Sequence, residues 1–171
     1  MRGVQERRAV AAVAADRGSA AAAAGGGRRL ALGALVAAAV VAADQFTKHL
    51  ALGGLDDGPI HVIWTLQLRL TFNRGAAFGL GPGISPVLVA VGVVVLVGLL
   101  AFGRDGARTP GAVVALGLIV GGALGNLVDR VVRDHGGAVV DFVDLQWWPV
   151  FNLADAAITC GAVALVLVSR R

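Results

Sequence analysis

Along the chain, apolar residues gather into long runs, and the polar residues between them fall in a few short blocks. A helix needs roughly 20 apolar residues to cross about 30 Å of hydrocarbon. By that measure residues 30–52, 85–102, 110–128 and 151–168 predict four membrane-spanning helices, the second and fourth slightly short. Between the first two runs the period changes: Trp64, Leu66, Leu68, Leu70 and Phe72 alternate with Thr65, Gln67, Arg69, Thr71 and Asn73. A period of two is the pattern of a half-buried β-strand. A second strand is predicted at 138–145, after a turn at Gly136 and Gly137. Trp147 and Trp148 beside it are expected to anchor the sheet at the membrane surface. The expected fold class is an all-α polytopic membrane protein, with four transmembrane helices carrying a small extracytoplasmic β-sheet.

Composition supports that pattern. At 57% hydrophobic residues in 171, the chain is too apolar for an ordinary soluble domain. The net charge of +4 does not point to nucleic acid, because the basic residues flank the apolar runs instead of clustering. Arg28 and Arg29 precede the first run, Arg104 and Arg108 separate the second from the third, and Arg170 and Arg171 follow the fourth. Positive charge collects on the cytoplasmic side of membrane proteins, so these groups and both termini are expected in the cytoplasm. Loops 53–84 and 129–150 are then outside, although they hold Arg69, Arg74, Arg130 and Arg133. Residues 1–29, arginines among alanines ending in a glycine run, read as a basic, disordered cytoplasmic tail. A signal peptide is the weaker reading, since its apolar run is short, weakly apolar and interrupted by Asp16. Residues 30–171 are expected to form one membrane domain. Cys160 has no second cysteine to pair with, and His49, His61 and His135 lack zinc-site spacing.

The rarer residue types carry the chemistry. There is one lysine, Lys48, against fourteen arginines, and the three asparagines are Asn73, Asn126 and Asn152. With the topology above, Asp44 and Lys48 end one outward-running helix, and Asn126, Asp129 and Arg130 end another. Asn73 and Arg74 precede one inward-running helix, and Asn152 and Asp155 begin the other. All four groups are expected to converge on the outer leaflet.

Each group also has a structural reading. Asp44 and Lys48 stand at i and i+4, and an ion pair offsetting its own burial explains them as well as a functional role does. Asn126, Asp129 and Arg130 share a helical face, where Asp129 can pair with Arg130 or Arg133. Asn152 fits a helix cap with Asp155 in the first turn, close to a capping box. Asp141, between Val140 and Phe142, has no evident structural task. Asp144 would face the opposite side of the strand, as a solvated acid. Carboxylates at the edge of a span are costly and by default functional, and Asp141 and Asp155 meeting there suggest acid/base chemistry. An ion-coupled carrier, which would hold its charges near the midplane, and a non-catalytic scaffold are the alternatives.

The blocks resemble one family. DQFTK at 44–48, FNRGAAFG at 72–79, GNLVDR at 125–130, VVDF at 139–142 and FNLAD at 151–155 are similar, in order, to those of the lipoprotein signal peptidases, or signal peptidase II. These are membrane aspartic proteases of bacteria, and the resemblance runs from about residue 30 to the C-terminus. It implies a catalytic pair at Asp141 and Asp155. It further implies substrate-binding or supporting positions at Asp44, Lys48, Asn73, Gly75, Asn126, Asp129, Arg130, Asn152 and Ala154. The implied reaction removes the signal peptide of diacylglyceryl-modified prolipoproteins, cutting before the lipidated cysteine at the outer face of the bacterial cell membrane. Prolipoproteins, membrane lipids and globomycin-like inhibitors are the implied partners, and no metal or other cofactor is implied. The segment VDLQWWPV at 143–150 is shorter than in many relatives, and the tail ahead of residue 30 lies outside the resemblance.

The chemistry of such a pair is general. An ionised carboxylate takes a proton from water while a protonated one donates to the carbonyl oxygen. Close like charges resist joint ionisation, so one pKa is raised and the pair titrates as a unit. Asn126, Asn152 and Arg130 are expected to orient the pair and the peptide, and Asp44 and Lys48 to brace the first span. The lipid chains of the substrate would stay in the bilayer between spans.

Overall fold

The structure is a computed structural model that describes residues 2–74 and 109–169. In chain order these form helix α1 (Arg2–Gly54), strands β1 (Ile60–Ile63) and β2 (Leu66–Asn73), helix α2 (Pro110–Val132), strand β3 (Val139–Asp144) and helix α3 (Leu153–Ser169). The second predicted span and Gly75 lie outside the described residues. Helix α1 begins well ahead of the predicted span, so the stretch expected to be a disordered tail is helical. Its alanines have the highest intrinsic helix propensity, a local preference that needs no apolar face to bury.

Helix α2 starts where its sequence directs. Thr109 is extended, at φ −108 and ψ 148, and its hydroxyl accepts from the Ala112 amide at 3.2 Å. Pro110 occupies the first turn, where its missing N–H costs nothing. The helix ends at Val132, and Gly136 and Gly137, at φ 61 and 75, make the predicted turn into β3.

The three helices pack with small residues inward and large apolar ones outward. On α2, a Cβ at Gly117 would meet Gly33 O at 2.9 Å on α1, and one at Gly121 would meet Ala37 O at 2.8 Å. Gly161 on α3 lies as close to Ala115 O of α2, where a Cβ would stand 2.7 Å away. Leu30, Leu35, Phe46 and Leu50 of α1 and Val163 and Leu167 of α3 are exposed. Water would favour the reverse arrangement. Lipid does not, and there close backbone approach through small residues supplies the packing. Residues Gly25–Gly54 and Pro110–Val132 are long and apolar enough to cross a membrane, and Leu153–Val168 is a shorter apolar helix.

The sheet has the order β1-β2-β3, antiparallel throughout. The expected strands at β2 and β3 are present, and β1 adds a third that has no alternating signal. The tight β1–β2 turn holds Trp64 at φ 50 and 92% exposed, a backbone conformation that favours glycine or asparagine. The period of two in β2 does not define one face. Leu68 pairs with Val143 but Thr71 pairs with Asp141, so β2 has one residue more than β3 over this interval. This bulge moves Thr71 and Asn73 to the face that carries Asp141. In unbroken register, Asn73 would project from the other side.

The glycine packing predicts opposite signs for two equal substitutions. Gly121→Ala drives a methyl group into the backbone of α1 and is expected to lower the apparent melting temperature in detergent, by about 1–3 kcal/mol of stability. Gly53→Ala meets nothing within 4 Å and is expected to be neutral or slightly stabilising, through helix propensity. Thermal unfolding of the two purified variants beside the parent checks both signs.

Candidate active site

Where the sheet meets the helices, the protein interior is polar. Among the described residues the largest fully buried side chains are Lys48, Val140, Asn152, Asp44, Asp129 and Asp141, of which Val140 alone is apolar. Burying charge is costly unless it is paired and hydrogen-bonded. No buried side-chain nitrogen or oxygen among the described residues lacks a partner.

The brace comes first. Lys48 Nζ lies 2.8 Å from Asp44 Oδ2, 2.7 Å from Asp129 Oδ2 and 3.1 Å from Asn126 Oδ1, which uses its three donors. The i, i+4 pair read from the sequence is therefore real, and Asp129 from α2 completes it. Asp44 Oδ1 accepts from the backbone N–H of Ala154 at 3.0 Å, so a carboxylate on α1 caps the first turn of α3. Gly125 makes room for it, since a Cβ there would stand 2.6 Å from Asp44 Oδ2. Asp129 Oδ2 also accepts from the Val140 amide at 3.0 Å, which ties β3 to α2. Asp129 Oδ1 binds Arg133 Nε at 3.1 Å, one of the two partnerships open from the sequence.

The second layer joins Asp141 to Asp155. Asn152 Nδ2 donates to Asp141 Oδ1 at 2.7 Å, to Asn126 Oδ1 at 3.1 Å and to Val140 O at 3.3 Å. Asn126 Nδ2 donates to Asp155 Oδ1 at 2.8 Å. The capping box is also present: the Asp155 amide donates to Asn152 Oδ1 at 2.9 Å, and the Asn152 amide to Asp155 Oδ2 at 3.3 Å. Capping holds Asp155 in place without using up its other oxygen, which faces Asn126. The structural reading and the functional one thus describe different atoms of one side chain.

Asp141 is 1% exposed, and burial together with the nearby Asp155 charge raises its carboxyl to about 6. Hydrogen bonds from Asn73 and Asn152 and the charge of Lys48 oppose that rise. Asn73 reaches Asp141 because of the β2 bulge. Arg130 donates from Nη1 to Asn126 O at 3.3 Å and feels the charges of Asp155, Asp129 and Asp141. Four carboxylates, Asp44, Asp129, Asp141 and Asp155, thus share a neighbourhood with three cations, Lys48, Arg130 and Arg133. With all four acids ionised the set carries one negative charge in excess.

One sequence expectation changes here, and one residue is added. Asp144 is buried at 3% exposure instead of solvated: Arg69 Nε lies 2.8 Å from it, Gln67 Nε2 donates at 2.8 Å, and it accepts from the Gln146 amide at 2.7 Å. It belongs to the sheet and its loop, on the other face from Asp141. Gln45, which lies in the DQFTK block but is given no role there, bonds Asp129, Gly125 O and Arg133. Its signal in the sequence is its place in that block, beside Asp44. Gly75 lies outside the described residues, while Asp44, Lys48, Asn126, Asp129, Arg130, Asn152, Ala154, Asn73 and both candidate acids come together. Among the described residues no group of three or more His, Cys, Asp or Glu is arranged to hold a metal ion.

Known proteins resemble this chain in sequence and in fold. The family described as Signal peptidase (SPase) II matches residues 36–170. A lipoprotein signal peptidase of Rhodococcus jostii is 46% identical over 140 residues, covering 79% of this chain and 70% of the relative. One of Syntrophomonas wolfei is 47% identical over 131 residues, covering 75% and 86%. The fold is similar to that of a bacterial membrane enzyme solved by the in meso method, with TM-score 0.72 and 31% identity, covering 80% of this chain and 90% of that one. A family match over most of the chain, near relatives along the same stretch and a shared membrane-enzyme fold lead to one conclusion: the chain belongs to the signal peptidase II family of membrane proteases.

Proposed function

We propose that Asp141 and Asp155 are the catalytic pair of an aspartic endopeptidase that removes the signal peptide from diacylglyceryl-modified prolipoproteins, cutting before the lipidated cysteine. The observation that carries the reading is the link between the two carboxyls through Asn152 and Asn126, with Asp141 raised to about 6. One acid of such a pair stays protonated where an ordinary aspartate is ionised. The ionised carboxylate takes a proton from water, whose oxygen adds to the scissile carbonyl carbon. The protonated carboxyl gives its proton to the carbonyl oxygen. Collapse of the tetrahedral intermediate breaks the C–N bond, the nitrogen takes a proton, and the pair returns to its singly protonated state.

The remaining parts belong to the same reading. Asn152, Asn126 and Asn73 orient the carboxyls, and Arg130 supplies positive charge beside them. Asp44, Lys48 and Asp129 hold the helix ends and the strand in register. The protein has four spans in the bacterial cell membrane, both termini in the cytoplasm, a tail of residues 1–29 ahead of the membrane domain at 30–171, and outer loops 53–84 and 129–150. The site opens at the outer face, where the sheet and Trp147 and Trp148 rest on the lipid and the substrate's acyl chains stay in the bilayer. A globomycin-like inhibitor would occupy this site, and no cofactor takes part. A carrier needs charge near the midplane, whereas these charges gather where the helices meet the sheet.

Purified parent enzyme is expected to cleave a diacylglyceryl-modified prolipoprotein, and Asp141→Asn and Asp155→Asn are each expected to lose on the order of 10³-fold or more of kcat while remaining folded. Cleavage surviving in either variant overturns the pair, and no cleavage by the parent overturns the reaction.

Stability gives an independent expectation. A carboxyl raised from 3.8 to about 6 binds its proton more tightly folded than unfolded, so its contribution is full below the unfolded value and is lost as pH rises through about 6. Above that, ionised Asp141 destabilises the fold by an amount on the order of 3 kcal/mol. Asp141→Asn is therefore expected to melt higher than the parent at pH 7, with the gain shrinking toward pH 4, as thermal unfolding at both pH values would record. Asn73→Ala removes a bond that favours the ionised form. Its pH–rate profile is expected to move to higher pH by about half a unit to one unit.

A further inference from the structure

Arg133 lies outside the five sequence blocks, yet it is the second cation of the brace. Its backbone has left α2, at φ −80 and ψ 133, while its side chain folds back over the last turn and is 19% exposed. Nε lies 3.1 Å from Asp129 Oδ1 and 3.3 Å from Gln45 Oε1, and Nη2 donates to Gln45 Oε1 at 3.1 Å and to Gln45 O at 3.4 Å. Gln45 Nε2 in turn donates to the same Asp129 Oδ1 at 2.9 Å, to Gly125 O at 3.1 Å and to Asp44 Oδ2 at 3.2 Å. The two side chains grip each other, α1, α2 and one oxygen of Asp129.

A carboxylate is planar, so fixing Oδ1 also fixes Oδ2. Asp129 Oδ2 holds Lys48 Nζ and the Val140 amide, the residue next to Asp141. Val140 O and Asp141 Oδ1 then share the amide of Asn152. Two hydrogen bonds thus lead from the clamp to Val140, the residue before the candidate acid, and two more through Asn152 reach the carboxyl of Asp141 itself. The charges divide in the same way. Asp44 and Asp129 are balanced by Lys48 and Arg133, which leaves Arg130 for Asp141 and Asp155.

We propose that Gln45 and Arg133 form a positioning clamp for Asp141. The clamp fixes Asp129, and through it the strand that carries Asp141, while the Arg133 charge, added to that of Lys48, keeps Arg130 from being drawn to Asp129. It rests on the reading of Asp141 and Asp155 as the catalytic pair. The charged groups around Asp141 are Lys48 from α1, Asp129 and Arg130 from α2 and Asp155 from α3, with uncharged Asn73 from β2. Removing one nearby cation favours the protonated form of every carboxyl in this set.

The test uses the full chain in detergent, a diacylglyceryl-modified prolipoprotein substrate, and the variants Arg133→Met, Arg133→Lys and Gln45→Leu. Arg133→Met is expected to lower kcat about tenfold or more, as a displaced catalytic group does, while KM changes less than about twofold. Both limbs of its pH–rate profile are expected to move to higher pH by about half a unit. Arg133→Lys restores the charge but not the fork, so the limbs return while kcat recovers only in part. Gln45→Leu keeps every charge, so kcat falls while the limbs stay, and it carries the test if Arg133→Met does not fold.

Parent-like kcat in Gln45→Leu overturns the clamp. So does a loss in Arg133→Met with unmoved limbs that lysine does nothing to restore, since that is the behaviour of a merely structural residue. Asp141→Asn run beside them separates the two claims: activity in that variant defeats the catalytic pair itself, whereas an inactive Asp141→Asn with parent-like Arg133 and Gln45 variants defeats only the clamp.

Discussion

One buried ammonium group organises this protein. Lys48 is fully enclosed and its three donors go to Asp44, Asp129 and Asn126, two of which carry charge and all of which use their other atoms elsewhere. Asp44 reaches the first turn of α3 and Asp129 reaches the backbone of β3. A single point charge thus sets the relation of three helices and a strand. In a dry interior, a group left unpartnered costs far more than a satisfied one gains. The geometry is therefore held less by the strength of any one bond than by the penalty for breaking it.

The helices can converge on that charge because their facing surfaces are small. Glycines at 117, 121 and 125 line α2 toward α1 and Asp44, and the close approach they permit brings short side chains such as Asp44 and Asn126 within reach of their partners. Larger residues would hold the helices apart and leave the same charges bridged by nothing. The bulge in β2 does a comparable thing for the sheet. It shifts a strand by one residue, and the side chain that reaches Asp141 is then Asn73 instead of a residue facing away.

The brace and the proposed pair differ in energy as well as position. Every charge of the brace is matched, so it contributes order without strain. Asp141 and Asp155 have Arg130 as the cation left beside them, with Lys48 acting on Asp141 from within the brace. Holding an acid at about 6 in a folded protein is a destabilisation above that pH, tolerated because the brace fixes the strand independently.

Much was legible from sequence because it depends on local pattern or single residues. Apolar runs of bilayer length announce spans, the third of them beginning at residue 110 as α2 does, and Gly136 and Gly137 announce the turn. The i, i+4 spacing of Asp44 and Lys48 announces their pair, and the capping pattern at Asn152 and Asp155 announces the start of α3. What the sequence could not decide was partnership between elements. Alternation in β2 predicted one apolar face, and only pairing with β3 revealed the bulge that breaks it. The apolar neighbours of Asp144 gave no hint that Arg69 and Gln67 would enclose it, and no local pattern gave a role to Gln45, inside the DQFTK block, or to Arg133, outside all five. A helix or turn is chosen by residues a few positions apart, whereas a buried charge is satisfied by whatever the tertiary fold brings against it, here from as far as 110 residues along the chain.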